Sequence, residues 1–122
     1  MLHDAHLHIK DPMIIEQMKQ FDIAGIANVS DPKEYHFIRN SQKSWNKLYY
    51  SVGIHPWKAD QTNYEEMVPL LSESKIIGEI GLDNVWCNCD LKIQTEIFEK
   101  QLRLAYQAQK PVILHTKGME KE

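Results

Sequence analysis

Apolar positions along this chain follow two rhythms that take turns. Short strand-like runs occupy Leu2 to His8, Gly25 to Val29, Leu48 to Ile54, Ile76 to Ile80 and Pro111 to His115. Between them, apolar residues recur every three or four positions, the spacing of a half-buried helix. Helix starts are marked by polar punctuation. Asp11-Pro12 opens the first, with Asp as N-cap and Pro at the first helical position. Asp31-Pro32-Lys33-Glu34 opens the second, and Glu34 is placed to complete a capping box. Asn63 or a neighbour opens the third, which ends near Ser74. The fourth runs from about Asp90 to Gln109, with Ile93, Ile97, Phe98, Leu102, Ala105 and Ala108 as its buried stripe. Met13, Met18 and Met67 read as helical core positions, and His36 as exposed. Strand and helix in alternation predict an α/β fold, a parallel sheet joined by helical crossovers.

Composition narrows this picture. The 122 residues are 43% hydrophobic and 25% charged, within the globular range. A formal charge of −3 excludes broad electrostatic capture of a polyanion. Any nucleic-acid partner must have its phosphates held by something other than a basic surface. Two cysteines, Cys87 and Cys89, do not make a disulfide framework, and without a second pair a zinc site on them is not expected. The N-terminus lacks the basic and apolar regions of a signal peptide, and no apolar run reaches the roughly 20 residues of a membrane span. A cytoplasmic protein with no membrane partner is the expectation.

The candidate chemistry lies at the ends of the strands. The first strand places Asp4, His6 and His8 on one face, because side chains alternate. Two imidazoles so spaced can reach one cation, with Asp4 orienting them from behind; a structural role for the pair carries equal weight when it is taken alone. Glu79 ends a very apolar strand, where a carboxylate is costly unless paired or metal-bound. Gly78 and Gly81 beside it are expected to leave room for an ion. Asp83 follows at the strand exit, on the face of Glu79 if the strand persists. No Arg or Lys in the core strands offers Glu79 a salt bridge. His115 ends the fifth apolar run, and in an α/β barrel the C-terminal ends of strands face the active site. His, His, Glu and His on one rim suit a divalent ion such as Zn²⁺ or Mn²⁺. His55, at the same rim, reads as a ligand, a phosphate contact or a proton shuttle. Trp57 and Trp86 could stack on a base or cap the wall.

The set His6-x-His8, Gly53-Ile-His55-Pro56, Gly78-Glu79-Ile-Gly81-Leu-Asp83 and Pro111-Val-Ile-Leu-His115 resembles the TatD family of metal-dependent deoxyribonucleases, across essentially the whole chain. The resemblance implies a TIM-type (β/α)8 barrel, of which residues 1–122 would form one domain with about the first five strands and four helices. It implies two divalent cations (Zn, Mn or Mg), with His6 and His8 on one, Glu79 bridging both as the catalytic carboxylate, and His115 on the second. His55 and Lys117 would hold substrate phosphate, and Asp4 and Asp83 would support the ligands. Two features depart from the family. A sixth-strand His and an eighth-strand Asp have no counterpart here, and Thr116-Lys117-Gly118 stands where the family often has an Arg. A full barrel takes roughly 250 residues, about twice this length, so the chain reads as truncated, with the fifth strand as an unpaired edge.

DNA is then the expected substrate, cleaved from the 3′ end by a two-metal mechanism, and the full-length protein is expected to be a monomer. The same ligand set also suits ester or amide substrates, such as an aminoacyl ester. An inactive remnant is the third reading.

Overall fold

The computed structural model describes residues 2–7, 9, 11–86 and 89–117, with only the backbone of residues 2–7. Among the described residues five strands alternate with four α-helices and a short 3-10 turn. The strands are β1 (Leu2–Leu7), β2 (Ile23–Val29), β3 (Leu48–Val52), β4 (Ile77–Asp83) and β5 (Val112–Lys117). The helices are α1 (Pro12–Gln20), α2 (Pro32–Ser41), α3 (Tyr64–Glu73) and α4 (Leu91–Ala108). The strands are all parallel, in the order β1-β2-β3-β4-β5. A strictly sequential order has no point where the winding reverses. It is the order of a barrel wall and excludes a doubly wound dinucleotide-type sheet.

The helix starts follow local chemistry. Asp11, Asp31, Asn63 and Asp90 each accept a hydrogen bond from an amide of the first turn. The capping box at α2 is only half made. The Glu34 amide donates to Asp31 at 2.8 Å, but the Glu34 carboxylate takes Ser30 Oγ at 2.8 Å and Lys58 Nζ at 3.3 Å. A nearby cation outcompetes the neutral amide of the cap.

The core joins Ile15 and Met18 of α1, Ile38 of α2, Met67 and Leu71 of α3, and Val29, Leu48, Val52, Ile77 and Ile80 of the sheet. Each such side chain removed from water contributes on the order of 2 kcal/mol. Met13 is not core: it is 67% exposed, turned away from the face that buries Ile15 and Met18. The α4 stripe also differs from the expected one. Gln94, Gln101 and Ala105 are its fully buried residues; Ile97, Phe98 and Leu102 flank them half-buried, while Ile93 and Ala108 are exposed. The helix turns polar groups towards strand ends that need partners.

The strand ends shift as well. β3 stops at Val52, and β3 and β4 pair only at Val52 and Ile77. β4 runs on to Asp83 and β5 to Lys117, because Leu82–Thr116 and Asp83–Lys117 continue their ladder. Lys117 therefore belongs to a strand. Among the described residues β1 and β5 each pair on one side only. His8, Cys87 and residues 118–122 lie outside the described residues.

Candidate metal centre

β4 carries Glu79 and Asp83 on one face, four residues apart, and β5 carries His115 beside them. Both carboxylates are buried, Glu79 at 5% exposure and Asp83 at 0%. His115 lies between them. Its Nδ1 is 3.1 Å from Glu79 Oε2 and its Nε2 is 2.9 Å from Asp83 Oδ2. His55, just before the turn Pro56–Lys58, brings Nε2 to 3.6 Å from Glu79 Oε1. The His55 and His115 rings sit 4.6 Å apart.

The glycines act differently from expectation. A Cβ on Gly81 (φ +153°) would collide with the His115 carbonyl oxygen, and one on Gly78 would stand 2.7 Å from Ile113 Cβ. The space beside Glu79 is thus filled by β5 itself. Glycine here brings the two strands into contact and so sets His115 against Glu79.

Asp83 is the most heavily bonded group. Oδ1 accepts from the Val85 and Trp86 amides, both at 2.9 Å, and Oδ2 accepts from Trp57 Nε1 at 2.7 Å as well as facing His115. Burial alone would raise its pKa. The hydrogen bonds from Trp57, the Trp86 amide, His115 and the Val85 amide outweigh burial and hold it well below the usual carboxylate range. An ionised carboxylate only accepts, so His115 Nε2 carries the proton in that bond.

That proton fixes the tautomer. With a hydrogen on Nε2, the neutral His115 ring points the Nδ1 lone pair at the Glu79 carboxylate. Two acceptors then face each other at 3.1 Å, and a proton on Nδ1 or a shared cation reconciles them. His55 is the opposite case. Its Nδ1 accepts the Trp57 amide at 3.1 Å, so in the neutral ring Nε2 bears the hydrogen. His55, Glu79 and His115 do offer ligand atoms within 4.8 Å of one another. In their neutral forms the rings play different roles: His115 presents a lone pair towards Glu79, and His55 presents a donor.

Of the residues singled out by sequence, the structure brings together Glu79, His115, His55 and Asp83. Lys117 pairs in register with Asp83, and its Nζ lies 4.6 Å from the centre of the Trp86 ring. Asp4 and His6 lie in β1, with only their backbone described. Trp57 is half-exposed but bound to Asp83 by its indole N–H, a role midway between base platform and wall. Cys89 Sγ lies 3.7 Å from the Asp90 carbonyl.

A sequence model of the family described as TatD related DNase matches residues 3–122. The chain belongs to this family. An uncharacterized metal-dependent hydrolase of Methanocaldococcus jannaschii is 32% identical over 132 residues, covering 98% of this chain and 52% of the relative. Another, YabD of Bacillus subtilis, is 28% identical, covering 96% and 51%. The crystal structure of YjjV, a TatD homologue from Escherichia coli, superposes with a TM-score of 0.79 at 20% identity, over 98% of this chain and 52% of that one. The fold is therefore a half of a TatD-type barrel. The chain spans about half the length of the relatives it matches.

Proposed function

We propose that the chain supplies the N-terminal share of a divalent-metal-dependent hydrolase site that cleaves DNA phosphodiesters from the 3′ end. The observation that carries this reading is the opposition of Glu79 and His115. A carboxylate oxygen and an imidazole nitrogen are held face to face at 3.1 Å, with the far ring nitrogen committed to Asp83. A buried carboxylate costs several kcal/mol unless compensated, and a cation shared by these two groups compensates it. The mixed N and O donor set suits Zn²⁺ or Mn²⁺.

In this reading Glu79 and His115 would hold metal, together with His6 and His8 near the N-terminus, and Glu79 would be the carboxylate common to a two-cation site. When bound, the cations supply Lewis-acid polarisation of the phosphodiester, a nucleophile at neutral pH and neutralisation of developing charge. The protein's groups do the positioning. Asp83 holds the His115 ring in the tautomer that presents Nδ1. His55 donates its Nε2 hydrogen to a non-bridging phosphate oxygen. Lys117 adds a point charge beside the rim. Trp57 keeps Asp83 ionised through its indole N–H.

The family's description as DNases, and its relatives' names as metal-dependent hydrolases, support this class of reaction. Glu79→Ala tests it in the longest protein that carries this sequence. Metal-stimulated nucleotide release from 3′ ends should fall by at least about 10³-fold, the scale of losing a central electrostatic group. Undiminished release would sink the assignment. Turnover of an ester in preference to DNA would keep the metals and overturn the substrate.

A further inference from the structure

The β3–β4 ladder is short where the site begins. The two strands share one register pair, Val52 with Ile77, and beyond it Gly53 packs closely on Gly78 without a further ladder pair among the described residues. Past Val52 the chain continues through Gly53, whose amide turns to the Val29 carbonyl at 2.9 Å, and Ile54 to His55. Ile54 is 1% exposed and Asp83 is 0% exposed, so neither backbone can turn to water. A buried peptide group left without partners costs roughly 1–3 kcal/mol per group.

Two side chains of α4 supply the partners. Gln101 Oε1 accepts the Ile54 amide at 2.6 Å, and its Nε2 donates to the Ile54 carbonyl at 3.3 Å. Gln94 repeats the arrangement on Asp83, accepting its amide at 2.8 Å and donating to its carbonyl at 3.1 Å. Each glutamine spends its remaining hydrogen locally, on the Ile97 carbonyl and the Cys89 carbonyl. Both are almost completely buried, Gln101 at 0% and Gln94 at 1% exposure. They lie seven residues apart, two helical turns on one face of α4. The primary amide is the side chain that offers one donor and one acceptor in a plane, as a neighbouring strand would.

The bracketed residues are not arbitrary. Ile54 directly precedes His55. Asp83 carries the carboxylate that sets the His115 ring. We infer that Gln94 and Gln101 are positioning residues of the metal centre: α4 uses them as a surrogate strand that fixes where His55, Asp83 and, through Asp83, His115 stand. Neither touches a reacting atom. The inference rests on the metal reading for one of its two readouts only.

The test compares Gln94→Met and Gln101→Met with Ile38→Ala, a core truncation in α2. All are made in the longest protein that carries this sequence, and urea unfolding records each loss of stability. Co²⁺ affinity is measured by chelator competition and its visible spectrum. The ring resonances of His55 and His115 are followed by NMR without metal. Co²⁺ binding should weaken about 10- to 100-fold in the glutamine variants with an altered spectrum, the range for lost ligand support, against less than about threefold for Ile38→Ala. In the metal-free protein the Gln101 change should move His55 more than His115, and the Gln94 change the reverse. Wild-type Co²⁺ affinity and unmoved ring resonances in both glutamine variants would overturn the inference, as would equal effects from Ile38→Ala. Failure of the unsubstituted protein to bind Co²⁺ would overturn the metal reading instead, and the ring resonances alone would then decide the positioning. Should a methionine variant not fold, Gln→Glu at the same site keeps the acceptor for the buried amide and serves in its place, with the same outcomes.

Discussion

At the scale of single residues, Asp83 and Gly81 do more than their sequence context announces. Asp83 fills both carboxylate oxygens with fixed partners, and one of them is the His115 ring. Asp83→Asn presents an amide where only acceptors stood, and favours the other His115 tautomer. Divalent-metal affinity should drop about 10- to 100-fold while the fold persists, as for other lost ligand supports; unchanged competition against a chelator would remove Asp83 from the site. Gly81→Ala acts through the backbone, since its Cβ would collide with the His115 carbonyl. The variant should lose roughly 3 kcal/mol or more in urea unfolding, in the upper range for point changes. Glu79 and His115 were legible in the sequence because a titratable group at the end of an apolar run is costly to bury unless it is paired or bound to metal. Gln94 and Gln101 were not. A helical glutamine reads as solvent-facing unless one knows that the backbone it faces lacks ladder partners, and that is set by pairing between distant segments.

At the scale of elements, boundaries in the sequence were sharp wherever a capping side chain made them. Asp11, Asp31, Asn63 and Asp90 mark starts that the structure keeps. Strand ends were less legible, because β4 and β5 lengthen by pairing with each other, an interaction that neither strand's own residues encode. Helix-to-helix joints were invisible for the same reason. One such joint is the 2.5 Å bond from the Tyr35 hydroxyl in α2 to Glu73 in α3. That bond, aided by burial, pushes the Tyr35 pKa up to about 12 from an ordinary 10. The raised value means that the neutral phenol is the form the fold favours. Its contribution is therefore complete below pH 10 and is lost as pH rises through 12. Tyr35→Phe should lower stability by about 1 kcal/mol at neutral pH, the net worth of one such bond. The gap between variant and parent in urea midpoints should close between pH 10 and pH 12. A gap that stays constant across that window would mean that the hydroxyl contributes through packing alone.

At the scale of the whole molecule, the difficulty is how an acidic chain would hold DNA. The formal charge is −3. Lys58 is engaged by Ser30, Asp31 and Glu34, while Lys117, in register with Asp83, places its Nζ over the Trp86 ring. A protein that neutralises many phosphates with Lys and Arg loses affinity steeply with salt, with a log–log slope near −0.9 per contact. Here the proposed metals would carry most of that charge. Binding of a short DNA duplex should then depend on metal first and on monovalent salt second. In excess Mn²⁺ or Zn²⁺, raising NaCl from roughly 50 to 200 mM should give a slope no steeper than about −2, equivalent to one or two side-chain contacts. Chelation should abolish binding outright at every salt concentration. A steep slope that persists after chelation would locate the phosphate contacts on a basic surface elsewhere in the full barrel, and would leave the centre around Glu79 and His115 without the role of anchoring DNA.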